Sequence, residues 1–160
     1  MDIRAISKTN CLELVPIFVE LEQYYFKEQA ASEHELTNYL KQKVFSEHSG
    51  VNIIAAYDNS IVLGFASYTT MYPGPKLSGQ MYLKDLFVSS NARGRGVGIA
   101  LMRHLASLAI EQGCQRLDWT AESNNPLAGQ FYRSIGAELV SEKEYYRFAD
   151  DALHAFAASK

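Results

Sequence analysis

Between Gln80 and Ala121 the sequence sets out an apolar run, a glycine-rich loop, an amphipathic stretch and a second apolar run. No other feature constrains the fold as much. QMYLKDLFV reads as a strand, and GVGIALMRHLASLAIEQG repeats Val97, Leu101, Leu105 and Leu108 at helical spacing. CQRLDWTA then places Leu117, Trp119 and Ala121 on one face of another strand, with Gly113 at the point where the helix ends. Two strands separated by a whole helix cannot close as a hairpin, so they form a parallel pair joined by a crossover.

The flanking sequence is of a different kind. DIRAI is a short strand, and Asn10 followed by Glu13 predicts a capping box for a helix through LELVPIFVELEQYY. Pro16 is positioned to kink that helix early, and Leu14, Phe18, Leu21 and Tyr25 form its apolar stripe. A second helix starts after Ser32, with Glu35 completing its box and Leu36, Leu40 and Val44 facing inward. VNIIAAY and IVLGFASYTT are joined by Asp58, Asn59 and Ser60 and predict an antiparallel hairpin, while MYPGPKLSGQ is a loop. NPLAGQFYRSI gives a short helix with Pro126 in its first turn and Gly136 after it. A hairpin-like pair through AELVS and EYYRFA closes the order. The expected class is therefore mixed α/β, in one domain over residues 1–160.

With 160 residues and 48 % hydrophobic composition, a core closes without staples. A net charge of −3 gives no basic face for nucleic acid, so any anion has to be met locally. MDIRAISKTN lacks the pattern of a secretory signal and no run reaches membrane-span length, so a cytoplasmic protein with no membrane partner is expected. Cys11 and Cys114 stand far apart, and His34, His48, His104 and His154 show no ligand spacing, so no disulfide and no metal are expected.

The local anion site is legible at the helix start. Gly94, Gly96 and Gly98 alternate there, with Arg93 and Arg95 among them. The first turn of a helix leaves its amides unpaired and carries the positive end of the dipole, and glycines let a phosphate approach them. Residues 93 to 98 therefore predict a phosphate-bearing ligand. Counting from Gly94, G-x-G-x-x-G fails at Ile99, and no lysine closes the loop as a P-loop requires.

Arg93, Gly96 and Gly98 fit R/Q-x-x-G-x-G/A, and Asn125, Ala128, Phe131, Tyr132 and Gly136 fit N-x-x-A-x-x-F-Y-x-x-x-G at the expected later position. In both motifs and in element order the chain resembles the GNAT superfamily of N-acetyltransferases. Within it, YLKDLFV, RGRGVG, NPLAGQFYRSIGA and LEQYY are most similar to the diamine (spermidine/spermine) acetyltransferase group. The resemblance implies a central, mostly antiparallel twisted sheet with splayed middle strands, flanked by helices. It implies acetyl-CoA as cosubstrate, with Leu86, Phe87 and Val88 pairing with the pantetheine arm. It further implies that Arg93, Gly94, Arg95, Gly96, Val97, Gly98 and Ile99 hold the pyrophosphate, that Asn125, Pro126, Leu127 and Ala128 line the cosubstrate, and that the protein is a homodimer.

The resemblance also assigns Tyr132 as the general acid, since a phenol of pKa about 10 can protonate a departing thiolate. Backbone amides near Phe87 are candidate oxyanion donors. The general base stays open between Glu144, Glu122 and a water chain. On the acceptor side Tyr24, Tyr25, Lys84 and Glu144 are the candidate contacts. The diamine group carries a glutamate at the position of Lys84 and an acid where this chain has Tyr25, so two negative charges are missing. A small acceptor with both an amine and a carboxylate is expected rather than a polyamine. The alternatives are a peptide amine and a CoA-binding module without turnover. Asp85 alternates with Lys84 and is expected on the opposite face, in a structural role.

Overall fold

The computed structural model describes residues 1–159, in two compact units, Met1–Thr120 and residues 121–159. The first holds a five-stranded sheet in the order β1 (Asp2–Ile6), β2 (Asn52–Asp58), β3 (Ile61–Met71), β4 (Gly79–Val88) and β5 (Cys114–Trp119). β1 to β4 run antiparallel, each to the next, and β5 lies parallel to β4, as the crossover requires. Helices α1 (Val15–Phe26) and α2 (Glu33–Tyr39) precede β2, and α3 (Val97–Glu111) makes the crossover.

Alternation along the strands divides the core between two faces. Ile53, Ala55, Tyr57, Phe65 and Phe87 join Leu14, Ile17, Phe18, Leu36 and Leu40 in one buried cluster, with Phe18 stacked on Phe65 at 4.8 Å. Ile54, Ala56, Ala66, Met81 and Leu83 are buried too, as are Val97, Leu101, Met102, Leu105 and Ala109 of α3. β2 is thus covered on both faces, which suits its unbroken apolar run. Leu108 is only half-buried, and its predicted place in the stripe is shared by Met102 and Ala109.

Local signals near the N-terminus resolve differently from expectation. Asn10 makes no cap. Its Oδ1 instead accepts from the Ser7 amide at 2.8 Å and the Ser7 hydroxyl at 2.9 Å, and Cys11–Leu14 is a 3₁₀ turn. The side chain meets donors on its N-terminal side first, a competition open to any Asn beside a turn. Pro16 then falls in the first turn of α1, where its missing N–H costs nothing, and it starts that helix rather than kinking it. Leu14 and Phe18 are buried and Leu21 is partly so, but Tyr25 is exposed. The Ser32–Glu35 capping box is present, and the stripe continues into a wider π-type turn, Leu40–Val44.

The second unit contains α4 (Pro126–Ser134) and α5 (Asp150–Ala158). The predicted strands through AELVS and EYYRFA do not form; residues 137–149 are irregular, and α5 follows them. A strand exists only by pairing with another, and here the Leu139 and Val140 carbonyls accept instead from the Ser141 and Lys143 amides in tight local turns. Among the described residues no helix is long and apolar enough to cross a membrane.

Candidate active site

β4 leads straight into the glycine loop. After Val88, a 3₁₀ turn at Ser90–Ala92 buries Ala92, and Gly94 and Gly96 take φ of +73° and +80° before Val97 opens α3. A Cβ at Gly94 would meet nothing within 4 Å, so that glycine answers a backbone requirement and leaves the space beside the loop open. The Ala100 amide donates to the Gly96 carbonyl at 3.1 Å, closing the first turn. The amides of Val97, Gly98 and Ile99 therefore have no intrahelical acceptor. Gly64 serves a different end: a Cβ there would sit 2.8 Å from the Phe87 carbonyl oxygen and 3.0 Å from Val97 Cγ1, so β3, β4 and the start of α3 converge only because it is glycine.

The two arginines are held differently. Arg93 donates through Nε to the Val88 carbonyl at 3.2 Å, and its guanidinium lies over the rings of Tyr24 at 5.5 Å and Phe87 at 6.0 Å. Arg95 pairs with Asp58 at 3.3 Å on an exposed surface, where such pairs contribute about 0–1 kcal/mol. A hollow of about 120 Å³ lies between Met1, Asp58, Leu63, Arg95 and Val97.

Glu20 of α1, which no sequence motif marks, also holds this loop. Its Oε1 accepts from the Ser90 amide at 2.7 Å. Burial pushes the Glu20 carboxyl up, but the Ser90 amide, the hydroxyls of Ser89 and Ser90 and the Arg93 charge outweigh it and hold the group below the usual carboxylate range. No local signal marks this contact, since the partners lie 70 residues apart.

The strands part where the resemblance implies. β4 and β5 pair through Met81–Leu117, Tyr82–Asp118 and Leu83–Trp119, and beyond Leu83 β4 has no β5 neighbour. Leu86, Phe87 and Val88 still pair with Ala66, Phe65 and Gly64 of β3, so one backbone edge is used and the other is open. Phe87 turns its ring into the core against Phe65, leaving backbone for any ligand at that edge.

On the acceptor side, Tyr24 packs edge-on against Tyr25 at 5.0 Å and against Phe87 at 6.2 Å, bringing the end of α1 to the glycine loop. Lys84 does not oppose Asp85. Its Nζ reaches the Asp85 carboxylate at 3.3 Å, while the other Asp85 oxygen accepts from the buried Ser67 hydroxyl at 2.5 Å. Alternation separates the two Cβ atoms, but the register shift at Ser67/Tyr68 disturbs the pleat there and the lysine stem is long enough to curl round. Lys84 also borders a cleft of about 330 Å³ with Ser49, Gly50, Val51, Tyr68, Thr69 and Tyr82. The cleft residues come from one loop and two strands, and no linear motif marks them.

In the second unit Asn125 caps α4, its Oδ1 accepting from the Ala128 amide at 3.2 Å, with Pro126 in the first turn and Leu127 exposed. Tyr132 stands on that helix with its ring 5.3 Å from Phe131. Glu144 accepts a hydrogen bond from the Tyr146 hydroxyl, which pushes that phenol above its ordinary range. Among the described residues no three His, Cys, Asp or Glu side chains gather as a metal site would need.

The model of the acetyltransferase (GNAT) family matches residues 14–137. The thialysine N-epsilon-acetyltransferase of Bos taurus is 29 % identical over 99 residues, covering 60 % of this chain and 58 % of that protein. The L-ornithine N5-acetyltransferase of Arabidopsis thaliana is 30 % identical over 95 residues, covering 59 % of this chain and 42 % of that one. The match thus spans about half the length of these relatives. Among solved structures, an integron cassette protein from the mobile metagenome of V. cholerae is 63 % identical, with a TM-score of 0.97 over 99 % of this chain and 98 % of that one. An aminoglycoside acetyltransferase from a soil metagenome shares the fold, at 19 % identity and a TM-score of 0.69 over 92 % of this chain and 96 % of its own. With the glycine loop, the parted strands and a family match over most of its length, the chain belongs to the acetyltransferase (GNAT) family.

Proposed function

We propose that this protein is an acetyl-CoA-dependent N-acetyltransferase that acylates the primary amine of a small molecule by direct attack in a ternary complex, without a metal. The observation that carries the reading is the loss of β5 pairing beyond Leu83, on the strand that runs into the Gly94–Gly96 loop. An open strand edge and a set of unpaired helix-start amides, in sequence, suit a long amide-bearing arm that ends in a pyrophosphate. Open space over Gly94 meets the same requirement.

Acetyl-CoA supplies the acyl group as a reactive thioester. On this reading Leu86, Phe87 and Val88 hold the pantetheine arm by their backbone, and an amide near Phe87 polarises the carbonyl. Arg93 through Ile99 hold the pyrophosphate, Asn125 through Ala128 line the cosubstrate, and Tyr132 gives a proton to the leaving sulfur. Tyr24, Tyr25, Lys84 and Glu144 meet the acceptor. The acceptor is an amino acid or a diamine-like compound, and an amino acid suits Lys84, since its exposed pair with Asp85 yields readily to a substrate carboxylate. The names of the thialysine and ornithine enzymes, both for amino acid substrates, support that class. The reading includes a homodimer working in the cytoplasm.

The test is release of CoA, followed with a thiol reagent, across polyamines, lysine-like and other amino acids, aminoglycosides and a lysine peptide. Release with basic amino acids is expected. Silence with every small amine, while acetyl-CoA still binds, would overturn the small-molecule reading and move the acceptor to a macromolecule or turnover out of the function.

A further inference from the structure

Asp85 stands where the sheet opens. Leu83 pairs with Tyr68 and Asp85 with the adjacent residue of β3, Ser67, so Lys84 has no opposite number there and is the extra residue of a bulge. Two residues on, Phe87 pairs with Phe65, and both rings belong to the core cluster that includes Phe18 of α1. Alternation puts the Asp85 carboxylate on that same face, next along β4 from the Phe87 ring that Tyr24 meets at 6.2 Å. Pairing with β5 ends at Leu83, so Asp85 lies two residues past the point where the edge of β4 comes free.

One oxygen of this carboxylate is fixed and the other is lightly held. The buried Ser67 hydroxyl donates to Oδ2 at 2.5 Å, which sets the plane of the group. Oδ1 faces Lys84 Nζ at 3.3 Å, and with the lysine 69 % and the aspartate 41 % exposed the pair adds little to stability. A lysine ammonium is itself a primary amine on an alkyl chain, so Lys84 Nζ occupies the place that an acceptor's ammonium would take. The cleft of about 330 Å³ begins at the same lysine. Among the described residues lining it Lys84 carries the one charge, beside the hydroxyls of Ser49, Thr69 and Tyr82. An acceptor carboxylate in that cleft therefore meets a cation and no acid.

We propose that Asp85 is the amine-binding carboxylate of the acceptor site, and that Lys84 fills this place until an acceptor's own carboxylate draws the lysine into the cleft. The exchange conserves charge. The acceptor ammonium replaces Lys84 at Asp85, and the acceptor carboxylate replaces Asp85 at Lys84, whose flexible stem allows the swing. A diamine of the same length can make the first contact, but it sets its second ammonium against an unpaired Lys84. The site thus selects amino acids that carry a terminal amine, by an attraction and a repulsion together. The inference rests on the proposed acetyl transfer and deepens its acceptor site, giving Asp85 a role that strand alternation alone does not suggest.

Acceptors matched except for a carboxylate test it: lysine with cadaverine, and ornithine with putrescine, followed by CoA release from acetyl-CoA. In the parent, kcat/KM is expected to favour each amino acid by about tenfold or more. Lys84→Met empties the amine place and removes the charge of the cleft, so that ratio should fall to about one. The lysine is exposed, and this variant keeps the fold. Asp85→Asn retains an acceptor for the Ser67 hydroxyl and should lower kcat/KM about 100-fold for all four amines, chiefly through KM, with the Kd for acetyl-CoA within about twofold. A merely structural Asp85 would lower the melting temperature and leave the amine KM of the folded protein unchanged. An unchanged ratio in Lys84→Met, or an unchanged amine KM in Asp85→Asn, overturns the exchange while acetyl transfer stands. If no amine is acetylated the transfer reading falls, and calorimetric titration of lysine into the CoA-saturated protein decides the exchange by itself. Binding lost in Asp85→Asn then supports it, and equal binding, or none to the parent, overturns it.

Discussion

Arg93 Nε donates to the Val88 carbonyl oxygen at 3.2 Å, so the side chain that opens the glycine loop is tied to the last residue of the strand before it. The guanidinium also lies over Tyr24 and Phe87, which fixes its plane and its charge beside the open edge of β4. Arg93 therefore has two tasks, holding the loop and supplying charge.

Replacing Arg93 with Ala removes both, and the Kd for acetyl-CoA is expected to rise about tenfold, close to 1.4 kcal/mol. Arg93→Lys keeps the charge but not the planar donor and should recover part of the loss. Titration calorimetry with acetyl-CoA checks this; equal affinity in Arg93→Ala and the parent would confine Arg93 to the loop's structure.

Glu20 gives the loop a pH dependence. Folding lowers its carboxyl pKa, so between the native and unfolded values the unfolded chain binds more protons and stability rises with pH. The contribution is complete above the unfolded carboxylate value, about 4.3, and is lost as pH falls through the lower native value. Glu20→Gln should cost about 1 kcal/mol at pH 7, the charged part of the Ser90 hydrogen bond, with the gap closing below about pH 4. Thermal unfolding of both proteins from pH 7 to pH 3 measures it, and a gap that stays constant would remove ionisation as the cause.

The acceptor prediction rests on Lys84, whose ammonium borders the cleft and shares Asp85 with Ser67. Lys84→Glu places a second carboxylate beside Asp85, which favours polycations and repels an acceptor carboxylate. The ratio of kcat/KM for spermidine over a basic amino acid is expected to rise at least tenfold. An unchanged ratio would take Lys84 out of acceptor choice.

The parts of this molecule that were legible in the sequence are those specified locally. The 93–98 loop declares itself by glycine spacing, and Gly94 and Gly96 do take the left-handed φ that only glycine adopts freely. The crossover follows from helical periodicity between two apolar runs, and the Ser32–Glu35 box is a contact over three residues. Glu20 with Ser90, and the cleft from Ser49 to Lys84, join positions far apart in the chain, and no local pattern encodes such a meeting. Residues 137–149 fail for a related reason: their alternation describes a surface able to pair, and whether it pairs depends on an edge elsewhere.

Tyr132 allows the chemistry to be separated from binding. It sits on α4, two turns after the Asn125 cap, and its ring leans on Phe131 at 5.3 Å. Tyr132→Phe keeps that ring contact and the helix, and deletes only the hydroxyl. If the hydroxyl protonates the leaving thiolate, its loss acts on the transition state and not on ground-state binding, so kcat should fall about 100-fold while the Kd for acetyl-CoA stays within twofold. Replacing the acetyl thioester with one whose thiol has a lower pKa should then narrow the difference between variant and parent, because a better leaving group needs the proton less. Stopped-flow turnover with both thioesters distinguishes this from a packing role, which would lower stability and affect the two substrates equally.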